Sequence, residues 1–147
     1  MNKLISRLEI LFLGLIVVLA LVLRLYKINN PIADWHSFRQ ADTASVTREY
    51  LKHGLNWLVP KYHDLSNIQS GKENPSGYRM VEFPLVNGAT ATLIQTFHLQ
   101  AQEVLAGRLV SVFFSLVTIV SIYLLGRSLS GPLTGLVGAV VFSIFPY

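Results

Sequence analysis

The chain has no cysteine. That excludes a disulfide framework and any thiolate metal site. Charge is scarce as well: 14% of its 147 residues are Asp, Glu, Lys or Arg, against roughly a quarter in an ordinary soluble domain. With 52% hydrophobic residues and a mean hydropathy of +0.48, the composition is that of a membrane protein. The net charge is +4, but the basic residues form no run or patch, so nucleic acid is not the partner. Signatures of soluble enzymes are missing too. There is no phosphate loop, no Gly-rich dinucleotide turn, no zinc HExxH and no nucleophile elbow.

What the chain does have is long apolar runs. Ile10 to Leu23 is uninterrupted, with Lys3 and Arg7 before it and Arg24 and Lys27 after it. A helix over about 8–26, rising roughly 1.5 Å per residue, is long enough to cross a hydrocarbon core of about 30 Å. A signal peptide would need a small-x-small cleavage site after the apolar core. Leu-Val-Leu-Arg-Leu-Tyr offers none, so this run reads as an uncleaved anchor. Arg24 and Lys27 can snorkel to the interface. Leu109 to Leu125, flanked by Arg108 and Arg127, gives a second span over about 108–126. A third begins at Pro132 and runs from about 132 to 147 and onward. Its Gly131, Gly135 and Ala139 recur every fourth residue, a small-residue face for close helix packing. The sequence stops at Phe-Pro-Tyr147 inside an apolar run, so the chain reads as the N-terminal piece of a longer protein.

Between the first two spans lies a polar loop of about residues 27–107, carrying seven of the eight acidic residues and all four histidines. Asn29-Asn30-Pro31 breaks the first helix. Asp42 to His53 reads as a short helix capped by Asp42, with Gly54 just past its end and Val46 and Tyr50 on one side. Leu51 and Leu55 extend its apolar flank. Residues 56–80 are loop, punctuated by Pro60, Gly71, Pro75 and Gly77. A second helix follows Glu82-Phe-Pro-Leu85, with Pro84 in its first turn. Leu85, Ala89, Leu93 and Phe97 define its apolar face, and Asn87, Thr90, Gln95 and His98 the opposite arc. It is too short and too two-faced to span, so both helices are expected to lie amphipathically at the membrane surface. Lys3 and Arg7 then share a side with Arg127, and the positive-inside rule makes that side cytoplasmic. The loop faces outward.

The richest chemistry sits at the start of the loop. Asp34-Trp-His-Ser-Phe-Arg-Gln-Ala-Asp42 holds two carboxylates, a histidine, an arginine and a glutamine. A carboxylate beside a low-dielectric wall can act as a general base. An arginine can hold a phosphate through paired hydrogen bonds. Together they suit a reaction on a lipid-linked phosphate. Each residue also has a plainer role available. Asp42 can be a helix cap, Asp34 a solvated loop residue, His36 structural, Arg39 an interface snorkeller and Glu82 a loop end. Lys61, His63 and Asp64 read as ordinary loop polarity.

The order of these features, with Ala-Gly-Arg-Leu-Val-Ser-Val-Phe-Phe-Ser-Leu and Tyr-Leu-Leu-Gly-Arg-Ser-Leu-Ser-Gly131 in the second span, resembles the N-terminus of GT-C membrane glycosyltransferases. It is most similar to the family 39 group of protein O-mannosyltransferases and lipid A aminoarabinose transferases. The resemblance covers essentially the whole chain, which is about the first quarter of such an enzyme. It implies an all-α, polytopic transmembrane fold of GT-C type, with juxtamembrane helices in the first outer loop. It implies transfer of a sugar from a polyprenyl-phosphate-linked donor to a lipid, glycan or protein acceptor outside the cytoplasm. The setting would be a bacterial-type cell membrane, with multiple passes and a cytoplasmic N-terminus. Asp42 and Asp34 become the candidate catalytic carboxylates, and Arg39, His36, Gln40 and Glu82 the candidate substrate contacts. No cofactor is firmly implied, although a divalent metal is compatible with the family chemistry. The isolated chain is expected to be inactive, because such a site is assembled from several loops.

The chain also departs from the family pattern. Aligned on Arg48-Glu49, it has Arg39-Gln40 where most members carry Asp-Glu, while His36 to Thr43 resembles a bacterial subgroup's His-Ser-Trp-Arg-Gln-Ala-Asp-Thr with Phe38 for Trp. That departure keeps a second class open: a non-catalytic accessory or lipid-carrier-binding membrane protein. A transporter fits less well, because transporters place ionisable groups within their spans, and these spans are nearly free of them.

Overall fold

The computed structural model describes residues 6–32, 37–67 and 71–145. Among the described residues the secondary structure is helical, without a strand. The helices are α1 (Arg7–Leu25), α2 (Ser37–His53), α3 (Leu85–Phe97), α4 (Glu103–Ser130) and α5 (Pro132–Ile144). A 3₁₀ turn, Gln100–Gln102, leads into α4. The chain divides into two compact units, one formed by Met1–Ile28 with Ser111–Tyr147 and the other by Asn29–Val110. Helix α4 begins in the second unit and continues in the first.

The first unit is apolar. Ser6 and Glu9 cap α1 reciprocally: the Ser6 hydroxyl accepts the Glu9 N–H, and the Glu9 carboxylate accepts the Ser6 N–H. Ile16, Ala20, Ile119, Tyr123 and Ala139 form its core. The expected small-residue face is present on α5 as Gly135, Ala139 and Ser143, all buried. A Cβ on Gly135 would lie 2.4 Å from the Tyr123 carbonyl oxygen, so a side chain there would force the helices apart. Gly131 differs from that expectation. It precedes α5 at φ +104°, where a Cβ would meet nothing, so its task is the turn.

Two polar devices tie this unit together. Glu9 Oε2 accepts from Tyr123 Oη at 2.7 Å and from Arg127 Nε at 2.8 Å. Arg24, expected to snorkel outward, donates instead to the carbonyls of Phe142 and Ser143 at the end of α5. Carbonyls in the last turn of a helix accept such donors readily, and the guanidinium complements the helix dipole. Much of the remaining α1 surface is exposed leucine and valine, including Leu11, Leu15, Val18 and Val22. Two helices, α1 and the segment containing α4, are long and apolar enough to cross a membrane. Helix α5 is a shorter apolar helix of 13 residues.

The second unit is built on α2 against α3. Val46, Tyr50 and Ala91 form its core, with Leu51 and Tyr62 packed on it. Three expectations change here. Helix α2 starts at Ser37, so Asp42 sits inside the helix and is not its cap. The intervening Phe-Arg-Gln-Ala has no breaker, and the Thr43 hydroxyl bonds back to the Arg39 carbonyl. The faces of α3 also differ in part from the expected ones, although Gln95 and His98 are exposed as expected. Asn87, Gly88, Thr90, Ala91 and Ile94 are buried, whereas Leu85 and Phe97 are 46% and 64% exposed. Small residues let α3 approach closely, and Asn87 Nδ2 meets its polar need by donating to the Thr43 carbonyl at 2.9 Å. Pro84 occupies the N-cap position and not the first turn. The packing of α2 on α3 therefore uses Val46, Tyr50 and Ala91 and leaves both ends of the expected apolar face of α3 exposed.

Candidate functional site

Starting α2 at Ser37 puts Arg39 and Asp42 one turn apart on the same helix. Both line a small cleft of about 20 Å³, together with Thr43, Val46, Pro60, Arg79, Glu82, Pro84 and Asn87. That volume holds little more than one ordered water. Arg39 Nη2 lies 3.3 Å from Glu82 Oε2, and this pair is well exposed. Arg79 Nη2 lies 2.7 Å from Asp42 Oδ2, with the two side chains about a third exposed. Two carboxylates and two guanidiniums thus alternate around one opening. The pattern can orient a hydroxyl against a carboxylate while a guanidinium faces a phosphate oxygen.

Arg79 was not singled out in the sequence, and a turn brings it here. Asn74-Pro75-Ser76-Gly77 carries Asn, Pro and Gly where a type I turn prefers them. The Gly77 N–H donates to the Asn74 carbonyl at 3.0 Å. The Asn74 side chain then pins Tyr78 twice, accepting its N–H at 2.9 Å and donating to its carbonyl at 3.0 Å. Gly77 stands at φ +62°, and a Cβ there would lie 2.5 Å from the Tyr62 carbonyl oxygen. Past the turn, Lys61 and Tyr78 form an antiparallel bridge. The Arg79 N–H donates to the Pro60 carbonyl at 2.9 Å, and its guanidinium lies over the Tyr62 ring. The arm is tied to α2 where the His63 N–H donates to Ser45 Oγ at 2.7 Å.

The other predicted site residues are distributed differently. Gln40 does not line the cleft; its Oε1 accepts from Arg108 Nη2 at 3.1 Å. Asp34 and His36 lie outside the described residues. Among the described residues no group of three or more His, Asp or Glu side chains is placed to hold a metal ion.

A second grouping lies further along α2, and His63 belongs to it, in contrast to its expected role as plain loop polarity. Glu49 Oε1 is 2.7 Å from His63 Nε2, and Glu49 Oε2 is 3.5 Å from His53 Nε2. These residues border a broad, open hollow of about 660 Å³ with Lys61, Tyr62 and Tyr78. Buried Tyr50 lies at its base, its hydroxyl donating to the Asn56 carbonyl; burial pushes its phenol pKa up from the ordinary value. Asp64 behaves as expected. It is a local turn residue, and hydrogen bonds from Ser66 hold its carboxyl below the usual range. No local pattern marks the Glu49–His63 pair, because the partners come from a helix and a separate loop.

No protein-family model matches the chain, and neither a curated protein nor a solved structure matches it.

Proposed function

We propose that the chain is the N-terminal part of a GT-C-like membrane glycosyltransferase of family 39 type. In this reading it transfers a sugar from a polyprenyl-phosphate-linked donor to an acceptor on the extracytoplasmic side. The supporting observation is the cleft where Asp42 and Glu82 meet Arg39 and Arg79. Three of its four charged residues were selected from sequence as a base and substrate contacts. In sequence, the cleft's residues fall between the end of α1 and the start of α4, the two helices apolar enough to span a membrane. Asp42 accepts or orients the acceptor's proton, and Arg39 holds a donor phosphate oxygen. Glu82 keeps Arg39 extended until the donor arrives. The cleft is far smaller than a sugar, consistent with further loops completing the site. The remaining parts of this reading are a multi-pass cell-membrane location of bacterial type and a cytoplasmic N-terminus.

The test is sugar transfer from a radiolabelled polyprenyl-phosphate donor, using membranes that carry the protein of the complete reading frame. Transfer that disappears in both Asp42→Asn and Glu82→Gln supports the assignment. Wild-type transfer in both variants removes it.

One observation favours a second reading. Arg79 already occupies an Asp42 oxygen at 2.7 Å, so that oxygen is not free to meet an acceptor hydroxyl. With Arg39-Gln40 standing where most family members have Asp-Glu, a carrier-binding or accessory protein would keep the guanidiniums and dispense with the base. Donor binding without turnover in the complete protein would select it.

A further inference from the structure

The second unit exposes a band of large apolar side chains that its own packing does not use. Trp57 and Leu58 come from the segment after α2, and Met80, Val81, Phe83 and Leu85 from the entry to α3. Leu58 is 82% exposed, and Met80, Val81 and Phe83 are each about two-thirds exposed. The two segments are joined where the Trp57 and Phe83 rings stack, 5.9 Å apart and 11° from parallel. The stack is seated firmly, because Trp57 lies directly on Gly88, where a Cβ would be 2.2 Å from its ring. Glu82, the charge within the band, is engaged by Arg39. A cluster of this size on a small unit marks an interaction surface.

We infer that this band inserts into the interfacial layer of the lipid bilayer, with the Trp57–Phe83 stack as its anchor. Three observations commit the surface to lipid. The unit begins within a few residues of the end of α1 and closes inside α4, so both ends are tethered to helices apolar enough to span a membrane. The band joins tryptophan and phenylalanine to aliphatic side chains, the mixture that settles at headgroup depth. Its residues, Leu85 at the start of α3 among them, lie outside the core of the unit, which Val46, Tyr50 and Ala91 fill. Insertion would fix the height of the charged cleft above the bilayer. The inference rests on the candidate spans and not on the glycosyltransferase reading.

These 147 residues hold two tryptophans, so Trp35→Phe, with phenylalanine at any tryptophan beyond them, leaves Trp57 as the single emitter. The complete protein is placed in phosphatidylcholine nanodiscs in which part of the lipid carries bromines near either the glycerol end or the methyl end of its chains. Trp57 should lose fluorescence to both lipids, more to the shallow bromines, and be protected from aqueous iodide. Quenching by iodide alone would put the band in water, and quenching by neither would show it covered by protein; each overturns the inference. These 147 residues hold no cysteine, so with serine at any cysteine beyond them a second measurement independent of tryptophan is open. A spin label at Val81→Cys should collide more with oxygen than with a water-soluble nickel chelate, and the reverse order overturns the inference.

Discussion

Asp42 and Arg79 are joined side chain to side chain at 2.7 Å across 37 residues of sequence. The pair places a guanidinium against the carboxylate proposed as the base, so the two must be tested together. In the complete protein, Asp42→Asn should lower sugar transfer by about 10²–10⁴-fold, the usual general-base contribution. Arg79→Gln should alter turnover while leaving the fold nearly intact. Both side chains are partly exposed, and solvent screening limits their coupling to about 1 kcal/mol or less. A double-mutant cycle read by both turnover and thermal unfolding separates the two effects. If neither single variant changes turnover, the pair is only a structural tie.

Arg39→Lys should weaken donor binding more than Asp42→Asn does. The lysine keeps the charge and loses the paired, planar donors that suit a phosphate. Equilibrium binding of the polyprenyl-phosphate donor to the two variants is the measurement. Equal losses would remove the phosphate role from Arg39.

Asn87→Ala should destabilise the second unit by about 1 kcal/mol, the net value of a typical hydrogen bond. Asn87 is 7% exposed, and its amide donates to the Thr43 carbonyl. Were it on a solvent-facing arc, the substitution would be neutral. Thermal unfolding in detergent, alongside Gln95→Ala as an exposed control on the same helix, decides between the two faces.

Gly88→Ala should have opposite signs in two backgrounds. Against the native Trp57 the new Cβ would stand 2.2 Å from the indole, so the ring must shift and stability falls. In Trp57→Ala that obstacle is gone, and alanine should gain up to about 1 kcal/mol over glycine in a helix. Unfolding midpoints of the four proteins give the cycle directly. Additive effects would mean the two residues do not touch.

Lys61→Cys and Ser128→Cys should label with impermeant maleimide from opposite sides of the membrane. Both positions are exposed, and one candidate span separates them in sequence. The positive-inside rule puts residue 128 with the cytoplasmic charges and residue 61 outside. Labelling of both from one side would overturn this topology.

The sequence by itself determined the helical class and the positions of α1 and α5 closely. Long apolar runs and a Gly-Pro start are local signals that need no partner to be read. Of the charges it singled out, Arg39, Asp42 and Glu82 line one cleft. It misplaced the start of α2 and the inner face of α3. Helix periodicity measures hydrophobicity, whereas the contact between α2 and α3 was won by size: small Ala91 packs on Val46 and Tyr50, and one asparagine finds a carbonyl. Only the tertiary structure could pair Asp42 with Arg79 and Glu49 with His63. Each pair joins α2 to a distant turn or loop, and such contacts depend on how a chain folds back on itself, for which adjacent residues carry no signal.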